Sequence, residues 1–430
     1  MTRENLSRPM QAKGAASASA GARSKPAPMS ADISFSPRVY YLSGDGHVRQ
    51  LAWQGDHFQA DDLFPLVINP PPNGMPLADL TSGIATMGVG GNPRIYYLSD
   101  PAGIGAARLQ ELAWTGGSMQ ITDLHSATAG QNPQLAATGT GLAAMAYGSN
   151  GDPRIYYLDM SLNFQQMAWL GNRWDFSPVS AAVANPPAGG VPPPDMNSGF
   201  AAIGCMASIR PPHIFYLDAS GNVQHIGWHG GQWKMDALPA GPPAVVRTRV
   251  AAMATGTNAD PHVFYLDRQN RIQHMALVSD VWVRDDPDPI AMTGSPPANA
   301  EWGSMLAVMG TGGNLDPSVF YVTTTDQVQC LAWYGNTWVG KDLTNIISPP
   351  GPVGPSIVAT GAGVNRDPRI YYFVSGGQVL QLAWIGDTPF PEGDDFWAAP
   401  FNVTTDPTTT NGPAAAGASS SPLVAMGAAE

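Results

Sequence analysis

An all-β fold, a seven-bladed β-propeller of four-stranded antiparallel blades, is predicted by three observations. One phrase recurs seven times: an aromatic strand beginning at Pro37, Pro93, Pro153, Pro212, Pro261, Pro317 or Pro368, then a second strand ending in Ala-Trp or a close variant. The strands read PRVYYL, PRIYYL, PRIYYL, PHIFYL, PHVFYL, PSVFYV and PRIYYF, spaced by 56, 60, 59, 49, 56 and 51 residues. A period this long, filled with strand signals, specifies a ring of small sheets in place of one conventional core. The 430 residues also hold 48 Gly and 41 Pro, which supply turns and leave little room for long helices. Each repeat can bury its faces against its neighbours, so the length is compatible with one domain.

Residues 1–30 are of different material. The stretch QAKGAASASAGARSKPAP has no periodicity, and Arg3, Arg8, Lys13, Arg23 and Lys25 outnumber Glu4. It reads as a disordered arm ahead of a single propeller over 31–430. It lacks the apolar run of a secretory signal, and no later stretch has the length of a membrane-spanning helix, so a soluble protein is expected.

Within one repeat, four strand-length runs follow each other: GLAAMAYG (141–148), PRIYYLD (153–159), FQQMAWLG (164–171) and RWDFSPV (173–179). Each is aromatic, β-branched or small and is bounded by Gly, Asn, Asp or Pro, as strands are. The first run recurs as GIATMGVG, GFAAIGCM, RVAAMATG, MLAVMGTG and SIVATGAG. Small side chains belong where the innermost strands crowd around a central channel. Pro is tolerated at the start of the second strand because the first strand residue can do without a ladder donor. The Asn or Asp before it, in GGNP, NGDP, NADP, NLDP and NRDP, reads as a turn former and not as a metal ligand. No small-residue strand of this type is recognised before Pro37, whereas the chain ends on SPLVAMG (Ser421 to Gly427). The C-terminal strand is therefore expected to complete the first blade and close the ring.

Composition excludes several functions. A formal charge of −12 argues against nucleic acid as a partner, since a grip on phosphate backbones needs clustered Lys and Arg. The two cysteines, Cys205 and Cys330, lie in apolar strands of different repeats and read as buried thiols. Nucleophile elbow, zinc-protease, phosphate-loop and calcium-loop motifs are absent from the sequence, and no acid pair stands out. His213, His225, His262 and His274 occupy matching positions in repeats four and five, where other repeats carry Arg and Gln, and read as substitution within the repeat. No cofactor, metal or catalytic residue is implied.

What recurs is a set suited to sugars. A polar residue stands second in the second strand and another three residues before the Trp of the third; a second Trp follows five residues later in WLGNRW, WHGGQW and WYGNTW. Sugars present a polar rim and an apolar face, which an Arg-carboxylate fork beside an indole matches. The indoles serve equally well for packing blade against blade.

At these residues the chain resembles the fucose-binding propeller lectins of fungi and soil bacteria, whose repeat has the form I-R-V-Y-Y, a Gly-containing turn, I-x-E-x-x-W, then G-x-G-W. PRIYYLSDPAGIGAARLQELAW (Pro93 to Trp114) has Arg, Tyr-Tyr, Glu and Trp in that order, with a longer hairpin. The resemblance runs from Ser36 onward. Six blades are usual in that group, against seven phrases here. It implies a sugar held between neighbouring blades, with Arg94 and Glu111 of blade 2 facing Trp169 and Trp174 of blade 3. It implies a second, altered site where Arg154 and Gln166 face Trp228 and Trp233. Ser318 and Cys330 mark a position lost to such a ligand. The expected function is that of a non-enzymatic lectin for fucosylated or related glycans. The alternative is a protein-interaction or structural propeller that has lost sugar binding. The oligomeric state is not legible.

Overall fold

The computed structural model describes residues 27–30 and 37–402, apart from short stretches in the connections between strands; residues 1–26 and 403–430 lie outside it. Among the described residues, seven sheets carry four antiparallel strands each, in simple sequential order, with an extra short strand added in the second and seventh. Blade 2, for example, runs Ile84–Val89, Asn92–Ser99, Ala106–Thr115 and Ser118–Asp123 from inside to outside. The innermost strands lie side by side around the ring, and that of blade 1 adjoins those of blades 2 and 7, so the ring is closed. No helix among the described residues is long and apolar enough to cross a membrane.

The strand that completes blade 1 differs from expectation. Ala27–Ser30 takes the innermost position, pairing Ala27 with Tyr40 and Met29 with Arg38. Ser421 to Gly427, expected there, lies outside the described residues. The register gives the reason. Ala85 and Met87, Ala143 and Met145, Ala251 and Met253, and Ala307 and Met309 face the same two positions of their second strands. Ala27-Pro28-Met29 is one more copy of this Ala-x-Met signal, set inside a stretch whose low complexity hides it. The expected arm, residues 1–30, therefore takes in all four residues of this strand.

The Tyr-Tyr pair is explained by the period of two along a strand. Tyr156 joins the core shared with blade 4, among Trp233 and Phe200, while Tyr157 joins the core shared with blade 2. A blade is packed on both faces, so both rings are buried, each such burial stabilising by roughly 2–3 kcal/mol. The second tyrosine also ties down the connection between blades: the hydroxyls of Tyr97, Tyr157, Tyr216 and Tyr265 donate to the carbonyls of Pro76, Gln134, Pro192 and Pro242 at 2.8 to 3.1 Å.

Tight turns after this strand rest on a buried carboxylate. Asp159 Oδ1 accepts from the amides of Ser161 and Asn163, and its Oδ2 from Gln165 Nε2 at 2.6 Å. Asp218 and Asp267 repeat the arrangement with Ser220, Asn222 and Gln224, and with Gln269, Arg271 and Gln273. The turn-forming aspartates of the repeat thus stand after the Tyr-Tyr strand. Asp152, Asp260, Asp316 and Asp367, read from sequence as turn residues before it, are the first residues of that strand and are paired in its ladder.

Candidate functional site between blades 2 and 3

Arg94 and Glu111 come from adjacent strands of blade 2. The ladder sets Arg94 opposite Ala113 and Tyr96 opposite Glu111, so Arg94, Tyr96 and Glu111 project from the same face. Arg94 Nη1 donates to Glu111 Oε1 at 2.6 Å, and the Tyr96 hydroxyl donates to the same oxygen at 3.0 Å. Glu111 is buried, whereas the Arg94 side chain keeps 20% of its surface exposed. The carboxylate is the base of the fork and the guanidinium its accessible tip. Burial pushes the Glu111 carboxyl above the usual carboxylate value against the opposing pull of Arg94 and Tyr96. Burial, the largest single influence, pulls the Arg94 guanidinium down, but the charges and hydrogen bonds of Glu111 and Tyr96 together outweigh it and hold the group above its ordinary value.

The indoles of blade 3 divide the expected work. Trp169 and Trp174 are cross-strand partners with ring centroids 5.6 Å apart, edge to face. Trp174 is buried and sets its ring edge-on to Tyr96 across the blade boundary, centroids 6.5 Å apart. This contact belongs to the architecture: Trp233 meets Tyr156, Trp282 meets Phe215, Trp338 meets Phe264 and Trp397 meets Phe320, with centroids between 5.6 and 6.3 Å. Trp174 and Trp233 therefore carry the packing role, and the half-buried Trp169 and Trp228 are the indoles with surface left to offer. A contact chain runs from Trp169 through Trp174 and Tyr96 to Glu111 and Arg94. Tyr96 is the residue that sequence reading left out of this set, although the first tyrosine of the Tyr-Tyr pair, two residues from Arg94 and on its face, was the signal for it.

The second expected set is assembled differently. Gln166 Nε2 donates to the Tyr156 hydroxyl at 2.8 Å, and the Arg154 guanidinium lies over the Tyr147 ring, 4.6 Å from its centroid. Arg154 and Gln166 form no fork. A neutral amide cannot draw the guanidinium down as a carboxylate does, so Arg154 leans on an aromatic face. In blade 7, Gln381 likewise donates to Tyr371, and Arg369 donates to the Trp384 carbonyl.

Blades 4 and 5 carry a third arrangement. His213 Nδ1 lies 2.8 Å from His225 Nε2, and His225 Nδ1 lies 3.1 Å from Asp236 Oδ2. His262 Nδ1 lies 2.8 Å from His274 Nε2, and His274 Nδ1 contacts Asp285. In blade 5 the carboxylate only accepts, so it fixes the proton on His274 Nδ1 and passes a defined polarity along the pair; in blade 4 His225 Nδ1 is close to Asp236 without hydrogen-bond geometry. No group of three or more His, Cys, Asp or Glu among the described residues is placed to hold a metal ion. Cys330 is buried, its thiol pushed up by burial, and Cys205 lies outside the described residues.

Fold and site together define a seven-bladed β-propeller with, among the described residues, one Arg-Glu ion-paired fork beside an indole pair at a blade boundary. Among solved structures the chain is similar to the BP39L lectin from Burkholderia pseudomallei, at 17% identity and a TM-score of 0.60, covering 89% of this chain and 99% of that one. It is also matched to AofleA from Arthrobotrys oligospora, at 16% identity and 0.48, covering 76% and 88%. A third match is a fungal lectin from Aleuria aurantia described with a six-bladed propeller fold and a novel fucose recognition mode, at 20% identity and 0.46, covering 76% and 97%. The resemblance to propeller lectins thus holds at the level of fold. No protein-family profile and no curated protein matches the chain.

Proposed function

We propose that the protein is a non-enzymatic carbohydrate-binding lectin of fucose type, with its principal site between blades 2 and 3. The observation that carries this reading is the fork: Arg94 and Tyr96 converge on one oxygen of a buried carboxylate, with Trp169 and Trp174 across the blade boundary. Glu111 accepts from sugar hydroxyls, Arg94 donates to hydroxyl or ring oxygen, and Trp169 covers the apolar face of the ring. Burial strengthens each of these bonds, and charge-assisted bonds are about twice as strong as neutral ones. Tyr96 and Trp174 hold the fork and the wall in place. The site reads as one for binding, since Glu111 is tied to two donors and, among the described residues, no second carboxylate acts on it as an acid-base partner would. Its partners are fucosylated or related glycans.

A glycan array probed with the wild type and with Glu111→Gln tests the reading. Binding to fucosylated glycans that is lost in the variant supports it. Absence of any glycan signal from the folded wild type overturns it in favour of a propeller for protein interaction.

A further inference from the structure

Blade 4 departs from its sister blades at several positions that meet in one place. Gly227 stands where the other six copies have Ala (Ala52, Ala113, Ala168, Ala276, Ala332, Ala383). A Cβ built on Gly227 would come within 2.5 Å of His229 Nε2 and 3.1 Å of the His225 ring. Loss of one methyl group therefore makes room for His229. His229 Nε2 then reaches Asp236 Oδ2 at 3.0 Å, the same oxygen that faces His225 Nδ1. These contacts fall on Oδ2, so Oδ1 keeps its acceptor capacity. His213, His229 and Asp236 line a cavity of about 740 Å³ between blades 4 and 5, whose far wall includes Leu277 and the indole of Trp282. Asp280 stands at its edge, and among the described lining residues there is neither Lys nor Arg. Where blade 2 offers a guanidinium donor, this cleft offers carboxylate and imidazole acceptors beside an indole face.

We propose that the cleft between blades 4 and 5 is a second ligand site, built around the Asp236 carboxylate to hold the protonated amine of an amino sugar. The ammonium group donates to Asp236 Oδ1, and the sugar's C-H face lies on Trp282, whose ring also favours a nearby cation. His229, hydrogen-bonded to its other oxygen, holds the carboxylate in position, and the His225 ring lies 3.1 Å from that same oxygen. The charge logic is consistent: burial keeps His225 below its usual value, and although burial raises Asp236, its contacts with His225 and His229 outweigh that and hold it below the usual value. The Asp236 carboxylate is therefore ionised at neutral pH. The choice of a sugar as the carrier of the amine rests on the lectin reading of blade 2; the preference for an amine does not.

Titration calorimetry at neutral pH with glucosamine, N-acetylglucosamine, methylamine and α-methyl fucoside tests the proposal on the full chain. The expected result is binding of glucosamine at least about tenfold tighter than N-acetylglucosamine or methylamine, a difference of about 1.4 kcal/mol or more. Asp236→Asn removes it, and so does Gly227→Ala, which restores the common residue of the repeat and drives His229 off the carboxylate. Val281→Lys, at an exposed position of the cavity mouth, weakens it without touching the core. Glu111→Gln leaves glucosamine binding unchanged. Equal affinity for the amine and its acetamide, or glucosamine binding insensitive to Asp236→Asn in a folded variant, overturns the proposal. Methylamine binding as tightly as glucosamine overturns the sugar. Loss of fucoside binding with glucosamine binding intact sinks the reading of blade 2 alone.

Discussion

Blade 2 and blade 5 place ionisable groups at matching points of one scaffold and reach opposite electrostatic solutions. In blade 2 the second and third strands supply Arg94 and Glu111, a full charge pair capped by Tyr96. In blade 5 the same positions are His262 and His274, with Phe264 in place of the tyrosine, and the negative charge has moved one strand outward to Asp285, to which Trp338 also donates at 3.2 Å. The second nitrogen of His262 faces the Thr255 hydroxyl at 2.8 Å, so the chain of bonds runs from the innermost strand of blade 5 out to Asp285 and ends on the Trp338 indole of blade 6. Replacement of a residue in this repeat thus brings its hydrogen-bond complement with it. Blade 2 keeps a charged donor at the boundary, and blade 5 turns its polarity inward.

The comparison breaks first if the packing indole is misassigned. Trp174→Ala should destabilise the protein by about 3–5 kcal/mol, as large-to-small core changes do, and Trp233→Ala by a similar amount, measured by urea unfolding. Loss of only a few tenths of a kcal/mol would make Trp174 a ligand wall and not a wedge between blades. Next in size is Glu111→Ala, which strands a partly buried guanidinium and should cost about 3 kcal/mol; Asp285→Ala removes the acceptor at the end of the imidazole chain and should cost about 1–2 kcal/mol. Equal costs would show that the two blades do not differ in buried charge.

Acid should separate the blades as well. Burial pulls His262 from 6.5 down to about 3, with a smaller downward push from His274. A depressed folded value favours the neutral form, so this contribution is complete above pH 6.5 and is lost as pH falls from 6.5 toward 3. His262→Phe should flatten the fall of urea midpoint over that window. Glu111 has a raised value, so its ionised form costs stability and the cost vanishes as it is protonated on acidification. Fucoside binding through the ionised fork should therefore weaken at a pH above the ordinary carboxylate value. The smallest effect is expected for Arg154→Ala, whose guanidinium rests on Tyr147 without a carboxylate: a stability change of about 0.5–1 kcal/mol by urea unfolding and no loss of fucoside binding.

Much of the ring was written in the repeat. The Tyr-Tyr and Ala-Trp strands are legible because period-two burial on both faces of a blade demands large apolar residues in succession. The innermost strand of blade 1 was not, because Ala27-Pro28-Met29 carries its signal in two residues amid Ala, Ser and Pro. For the candidate site, Arg94 and Glu111 were legible because a charge pair at fixed offsets from Tyr-Tyr and Trp leaves a pattern in one dimension. The division of labour between Trp169 and Trp174 was not, since two tryptophans five apart look alike until a turn sends one under the neighbouring blade. The separation of Arg154 from Gln166 was equally hidden: a one-residue change from Glu to Gln removes the charge that closes the fork.

The proposed fucose-type site is the single Arg-Glu fork among the described residues. Calorimetric titration of the full chain with α-methyl fucoside, fitted for stoichiometry, tests it most directly. The account predicts one strong site per chain, abolished by Glu111→Gln and untouched by Arg154→Ala. Several equivalent sites per chain, or one site that survives Glu111→Gln in a folded protein, would contradict it.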